Sequence, residues 1–348
     1  MSFWRNRRVF ITGHTGFKGA WLALWLRHLG AKVRSFSLPP PDGGAYEDFA
    51  PLISSGGQFI DIREHDAVVK AIADAEPEVI FHLAAQALVL HGYKQPVLTY
   101  ETNVQGTLNL LDAVRLCPSV RGVLVVTSDK VYANKGDGTP MTEASPLGGS
   151  DPYSNSKSCV ESLVEAWRNS YLEPDGIGIV TARSGNVIGG GDVAADRLLP
   201  DFFRAVKGKR PLRVRHPEAV RPWQFILEPL AGYLDYAQEL IAGTDRPPPA
   251  LNFGPSALDA WPVHRVLDRL ISHLGEGRWE KGEPPADKET KRLVLDAELA
   301  WQALKWRARL SVDDSLDLTA EWWREQQRGA AMIEVALNQI DQYQALTS

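Results

Sequence analysis

Short apolar runs alternate with stretches of helical periodicity through the first half of the chain. Val9-Phe10-Ile11, Val33 to Leu38, Val79 to Leu83, Val123 to Thr127 and Ile177 to Ala182 read as strands. Their near-continuous apolar character suits central strands covered on both faces. Between the first two, Phe17, Trp21 and Leu24 fall at helical spacing up to Leu29, and Gly30 supplies a stop. Pro39-Pro40-Pro41 ends the second strand, and a long helix is predicted over Tyr153 to Tyr171 after the Gly/Ser/Pro-rich 147–152 segment. Such alternation predicts βαβ units and an α/β fold with a Rossmann-type, doubly wound parallel sheet over residues 1–185.

Beyond residue 185 the pattern is irregular. Gly189-Gly190-Gly191 marks a loop, Pro247-Pro248-Pro249 a connection, and Leu251-Asn252-Phe253 a strand. On this basis residues 222–254 return to the first domain. Segments 186–221 and 255–348 are expected to build a smaller mixed α/β substrate lobe, rich in helical patterns bearing Trp301, Trp306, Trp322 and Trp323. Met332 to Leu346 is predicted to be a final amphipathic helix.

Composition narrows the possible partners. A chain of 348 residues is long enough to bury a sizeable core. The net charge of −5 disfavours nucleic acid and anionic membranes, so an anionic substrate would need a local basic site. Cys117 and Cys159 form no C-x-x-C pair, which argues against a disulfide framework or a zinc cluster, and no metal is expected. No apolar run is long enough to cross a bilayer, and Met1 to Arg8 lacks the features of a secretory signal, so a soluble cytoplasmic protein is expected.

Candidate chemistry begins at Thr12-Gly13-His14-Thr15-Gly16-Phe17-Lys18-Gly19, between the first strand and the first helix. Its G-x-x-G-x-x-G spacing permits a tight turn, close approach of backbone N–H groups to a pyrophosphate, and close helix–strand packing. The second strand ends in Ser35-Phe36-Ser37-Leu38 without the acid that usually holds the ribose of NAD. Arg34 would favour a 2′-phosphate and Asp61 an adenine amine or ribose, so the residues leave NAD and NADP open. Tyr153 and Lys157 form a Y-x-x-x-K pair on one helical face, where an ammonium stabilises a phenolate. Thr127-Ser128-Asp129-Lys130 ends an apolar strand, the edge at which doubly wound sheets bind ligands.

Thr12 to Gly19, His82-Leu83-Ala84-Ala85-Gln86, Thr102-Asn103-Val104, Ser128-Asp129-Lys130 and Tyr153 to Lys157 resemble the extended short-chain dehydrogenase/reductase superfamily. Within it, the glycine loop, Ser128-Asp129-Lys130, Arg183 to Asp192, Arg221-Pro222-Trp223-Gln224 and Leu295 to Trp323 resemble the CDP-glucose 4,6-dehydratases, over nearly the whole chain. The resemblance implies a nucleotide-sugar substrate and NAD. The implied cofactor contacts are Gly13, Thr15, Gly16, Phe17, Lys18, Gly19, Ser37, Asp61, Ile62, Leu83, Ala84, Ala85, Gln86, Asn103, Thr127, Tyr153 and Lys157. It further implies Tyr153 as the base at C4, Lys157 as its modulator, Ser128 on the C4 oxygen, Asp129 as the acid at the C6 hydroxyl and Lys130 as the base at C5. Related dehydratases carry glutamate at the position of Lys130, which as an ammonium accepts no proton; a base role needs a depressed pKa. Asn186, Arg197 and Arg221 are implied to hold the substrate. The superfamily's two-fold four-helix contact implies a homodimer or homotetramer.

One departure concerns Leu90-His91-Gly92, where relatives usually carry an arginine and a serine and where a roomier sugar pocket is expected. Dehydration of another nucleotide sugar, including a heptose, epimerisation, and a non-catalytic cofactor-binding regulator are the alternatives.

Overall fold

The computed structural model of the chain describes residues 3–134, 136–255, 260–283 and 293–346. The first part runs β1 (Arg8–Thr12), α1 (Phe17–His28), β2 (Lys32–Ser37), α2 (Ala45–Ile53), β3 (Gly57–Phe59), α3 (His65–Ala75), β4 (Val79–His82), α4 (Val89–Lys94) and α5 (Pro96–Tyr100). A π-helical turn, Glu101–Gln105, leads into α6 (Gly106–Arg115), then β5 (Gly122–Val126), a 3₁₀ turn Asp129–Val131, α7 (Pro152–Trp167) and β6 (Gly178–Ser184). The remainder runs β7 (Val187–Ile188), α8 (Leu198–Lys207), β8 (Leu212–Val214), β9 (Val220–Pro222), β10 (Gln224–Phe225), α9 (Leu227–Ala242) and β11 (Ala250–Phe253). It closes with β12 (Ala260–Pro262), α10 (Val263–Leu274), β13 (Trp279–Lys281), α11 (Glu298–Leu304), α12 (Val312–Gln327) and α13 (Met332–Ala345).

The expected doubly wound sheet is present. Its seven strands lie in the order β11-β6-β5-β4-β1-β2-β3, and every pairing is parallel. All of β4, β5 and β6 is buried, as strands covered on both faces require. One face packs under α1, α2 and α9 through Trp21, Leu24, Phe49 and Leu230; the other packs under α3, α6 and α7 through Val68, Ile72, Leu110 and Val160. Three short pairs, β7 with β10, β9 with β12 and β8 with β13, join α8 and α10 around a further cluster that includes Phe202, Trp261 and Leu267.

The tryptophan-rich helices expected together in the second lobe are instead shared between the two halves. Trp322 lies 5.4 Å from Trp21 and 5.9 Å from Phe49, whereas its neighbour Trp323 stacks on Phe203 of α8 at 4.5 Å. Adjacent helical residues point about 100° apart, so α12 presents one ring to each half. The last helix, α13, packs on α1 and α2, with Tyr343 5.8 Å from Trp25. Fully buried Glu228 of α9 fixes this arrangement: it accepts hydrogen bonds from the Arg309 and Leu310 backbone N–H groups at 2.8 and 2.7 Å and from the Tyr343 hydroxyl at 2.8 Å.

Removing the Trp322 ring would open a cavity between α1, α2 and α12. Trp322→Ala is expected to cost about 3–5 kcal/mol in chemical denaturation, and a loss below about 1 kcal/mol would show the seam to be soft.

Candidate active site

The glycine loop is built for close approach. Gly13 has φ +80° and donates to the Phe36 carbonyl at 2.8 Å; a Cβ on it would lie 2.7 Å from the Ala84 nitrogen. A Cβ on Gly19 would lie 2.0 Å from the Gly13 carbonyl oxygen. Gly16 precedes α1 in extended conformation, no side chain caps the helix, and no acid stands in its first turn. The first N–H groups of α1 are thus left for an anion in a cradle that any side chain would fill, which fits a dinucleotide pyrophosphate.

The other residues expected to touch the cofactor follow β1, β2, β3, β4 and β5 or lie on the π-helical turn and α7. Thr15 Oγ1 lies 2.7 Å from Ser37 Oγ and donates to the Leu38 carbonyl at 2.9 Å. Asp61 is gripped by Arg63, with Nη2 2.6 Å from Oδ2, and this bond holds its carboxyl below the usual range. Ile62 is buried, and a Cβ on Gly106 would meet it at 2.6 Å. The Ala84 N–H, and that of Leu83, donate to Thr12 Oγ1 at 3.1 and 3.2 Å, while Thr12 Oγ1 lies 2.7 Å from His82 Nδ1. Burial, with help from the Lys157 charge, pushes His82 down to about 3, so its ring is neutral. Asn103 accepts from the Gln86 N–H at 2.8 Å and donates to the Gln86 carbonyl at 3.0 Å and to Ser156 Oγ at 2.9 Å, tying the loop carrying Ala85 to α7. The Thr127 hydroxyl donates to buried Glu161.

Asp151 starts α7 by accepting from the Ser154 N–H at 3.0 Å, and Pro152 occupies the first turn. Tyr153 and Lys157 follow on one face, both buried. Lys157 Nζ donates to the Val126 carbonyl at 3.1 Å, and burial lowers it to about 8 against the attraction of Glu161. Burial raises the Tyr153 phenol above its ordinary value and outweighs a hydrogen bond with Ser128. The lowering expected from Lys157 together with a nearby nicotinamide cation is opposed by the chain's own enclosure of the phenol, while Lys157 serves the end of β5. Ser128 Oγ donates to Asp129 Oδ1 at 3.0 Å and accepts from the Lys130 N–H at 3.2 Å. Asp129 is buried, and burial raises its carboxyl against the pull of Lys130, Ser128, Lys18 and Arg221. Its Oδ2 has no hydrogen-bond partner among the described residues.

The amine that burial brings close to neutrality is Lys18, taken from the sequence as a phosphate-loop residue. Its side chain turns inward, 2.7 Å from Ser184 Oγ at the end of β6 and 3.5 Å from the Tyr233 hydroxyl of α9. Burial first, then the Arg197 charge, lowers it to about 7 while Asp129 opposes. Lys130 is half-buried. Arg221 is buried on β9 opposite Trp261 of β12, Arg197 pairs with Asp192 at 3.0 Å, and Asn186 accepts through its carbonyl from the Gln224 N–H at 3.1 Å. Gly92 is not a vacancy for sugar: a Cβ on it would lie 3.2 Å from the Tyr153 nitrogen, so glycine lets α4 pack on the start of α7.

Sequence reasoning missed the support beneath this cluster. Buried Glu161 accepts from Thr181 Oγ1 at 2.7 Å and from Arg183 Nη2 at 2.7 Å, and Arg183 reaches the Tyr132 hydroxyl at 2.9 Å. Glu161 stands four residues after Lys157, a spacing that could have flagged it; Ser184 lay in the Arg183 to Asp192 stretch without a role of its own, and nothing flagged Tyr233.

Residues 9–243 match the family model described as the NAD dependent epimerase/dehydratase family. The chain belongs to this family. It is 38% identical to the CDP-glucose 4,6-dehydratase of Salmonella typhimurium over 354 residues, covering 100% of this chain and 99% of that one. It is 25% identical to the dTDP-glucose 4,6-dehydratase 1 of Escherichia coli, over 91% of this chain and 92% of that one. In fold it resembles a UDP-glucose-4-epimerase from Stenotrophomonas maltophila solved with NAD (TM-score 0.81, 21% identity, 93% of this chain and 100% of that chain). It also resembles a double mutant of the dTDP-glucose 4,6-dehydratase of Streptomyces venezuelae solved with NAD (TM-score 0.79, 23% identity, 94% of this chain and 99% of that chain).

Lys18 and Lys157 make stability depend on pH. Unfolded, each amine keeps its proton to about 10.5; folded, they release it at about 7 and about 8. Between these values the unfolded chain binds more protons, so stability rises with pH, by up to about 1.4 kcal/mol per pH unit for each group. Lys18→Met is expected to remove one such contribution from denaturation midpoints measured between about pH 7.5 and 9.5. Equal slopes in both proteins would contradict the burial of a titrating Lys18.

Proposed function

We propose that the chain is a CDP-glucose 4,6-dehydratase, converting CDP-D-glucose to CDP-4-keto-6-deoxy-D-glucose and water in deoxysugar biosynthesis. The observation that carries this is the end-to-end 38% identity to the Salmonella enzyme. Buried Ser128, Asp129, Tyr153 and Lys157, with Lys130 beside them, meet at the carboxyl ends of β5 and β6 and give that identity a chemical basis. Gly13, Gly16 and Gly19 hold the pyrophosphate of NAD, with Ser37 and Asp61 on the adenosine side. When bound there, NAD would supply the hydride acceptor for C4 of the glucose and the hydride donor for C6.

The chain's own residues manage the protons. Tyr153 takes the proton of the C4 hydroxyl, whose oxygen Ser128 holds. Asp129, whose carboxyl burial raises, gives its proton to the departing C6 hydroxyl, and Lys130, in the neutral form that this role requires, takes the proton from C5 and returns it there. Arg221 and Arg197 bring positive charge to the substrate diphosphate, with Asn186 beside them. Free Cys117 and Cys159 and the absence, among the described residues, of a helix long and apolar enough to cross a membrane fit a soluble cytoplasmic enzyme. Tyr93 and Val97, exposed by 54% and 69% on α4 and α5, fit burial between subunits of a homo-oligomer.

Purified protein would be incubated with CDP-glucose, dTDP-glucose, UDP-glucose, GDP-mannose and a GDP-heptose, with and without NAD, and products weighed by mass spectrometry. Loss of one water from CDP-glucose is expected. Loss from another sugar would change the substrate and keep the chemistry; no loss from any, with NAD bound, would move the assignment to an epimerase or a binding protein. Tyr153→Phe is expected to lower kcat by about 10²–10⁴ without weakening NAD binding; near-wild-type turnover would remove Tyr153 as the base.

A further inference from the structure

We propose that Trp21, buried in α1, is a positioning residue for the substrate: through the carbonyl of Gly190 it sets where Arg197 meets the diphosphate. The inference rests on the dehydratase reading, in which Arg197 pairs with that diphosphate. Trp21 is fully buried two residues after the glycine loop, among the rings of Phe49, Phe225 and Trp322. Its N–H does more than complete the packing. The indole Nε1 donates to the Gly190 carbonyl at 2.9 Å. The next carbonyl, that of Gly191, accepts at 3.0 Å from the N–H of Ala45, the first residue of α2. Both helices belong to the cofactor half, whereas Gly189-Gly190-Gly191 opens the segment that leads to Arg197.

This segment has no room to drift. A Cβ on Gly190 would lie 1.8 Å from the Trp322 ring, and one on Gly191, where φ is +77°, would lie 2.5 Å from the Ala45 Cβ. The backbone is threaded between α1, α2 and α12, and a shift away from Trp21 would leave the carbonyl of buried Gly190 without its partner, which is costly. Two residues on, Asp192 turns the fixed backbone into a fixed charge. Its side chain is 6% exposed; Oδ1 accepts from the Ala194 N–H at 3.1 Å, and Oδ2 pairs with Arg197 Nη1 at 3.0 Å. Arg197 directly precedes α8, is half-buried, and its charge reaches Lys18 inside the site. A guanidinium grips a diphosphate through N–H groups in a rigid fork, so displacing its anchor weakens the pair. The diphosphate is remote from C4, C5 and C6 of the sugar. Its contacts are therefore alike in the ground and transition states, and their loss shows in affinity and KM rather than in kcat.

The test compares Trp21→Phe with Trp322→Phe. Both replace an indole of the same aromatic cluster, but the Trp322 nitrogen has no hydrogen-bond partner among the described residues. Trp21→Phe is expected to weaken CDP about 10-fold in calorimetry and to raise the KM for CDP-glucose by a similar factor, with kcat within about two-fold of wild type. Trp322→Phe, which gives up no hydrogen bond, is expected to change the Kd for CDP by less than about two-fold. Equal weakening by the two variants, or a fall in kcat at unchanged KM, overturns the proposal. Arg197→Ala then checks the route: on that background Trp21→Phe should add nothing, and additive losses overturn a path through Arg197. Asp192→Asn keeps the bond to the Ala194 N–H and loses the ion pair, so it probes the far end of the route and leaves the aromatic cluster intact. It is expected to weaken CDP about 10-fold, and unchanged or tighter binding overturns the route even if Trp21→Phe does not fold. CDP affinity is read without turnover. A wild type that binds CDP but removes water from no nucleotide sugar overturns the dehydratase reading and leaves these comparisons in force; one that binds no CDP overturns both.

Discussion

Desolvation of charge at the carboxyl edge of the sheet is the constraint on which the rest depends. Asp129, Lys157 and Arg221 are buried and Lys18 is half-buried within one region, in a chain whose net charge is −5. Isolated, each would be costly to bury. Together they offset one another: cations surround Asp129, and Glu161 lies behind Lys157. The same enclosure pushes the carboxyl up and the amines down, which brings acids and bases of ordinarily distant strength closer together. A site that must take and give protons in several places during one reaction gains from that convergence.

Such a cluster works only if its members are held still. Strand order does the coarse positioning, since β1, β4, β5 and β6 lie side by side and end at the same edge. Finer positioning comes from beneath, where Glu161 joins α7 to β5 and β6 through Thr127, Thr181 and Arg183. Asn103 does the same on the other side of α7, binding it to the loop after β4. The Tyr153 helix is thereby fixed to both neighbours by fully used polar groups rather than by apolar packing alone.

Much of this was legible in the sequence. The central strands are apolar runs bounded by turn residues, and the glycine spacing and Tyr153/Lys157 pair are local patterns, so helical and strand periodicity were enough to place them. What escaped depends on contacts between distant segments. Lys18 looks like a loop residue until the fold brings Ser184 and Tyr233 to meet it. Gly92 looks like extra room until α7 is seen to pack against it. The burial that opposes a lowered Tyr153 phenol was not legible either, because enclosure is a property of the folded chain, not of a four-residue spacing. The paired tryptophans of α12 misled for a similar reason, since periodicity marks a buried face without saying which body buries it.

The first helix carries a consequence for the order in which the protein can be made. Every residue of α1 from Gly19 to Leu26 is buried, including Trp21 and Trp25, and Trp322 and Tyr343 complete the cover of these two rings. On the ribosome the glycine loop emerges early, but an apolar surface beside it stays open until synthesis has passed α12 and α13. Throughout that interval the nascent chain displays a tryptophan-rich patch of the kind that holdase chaperones recognise.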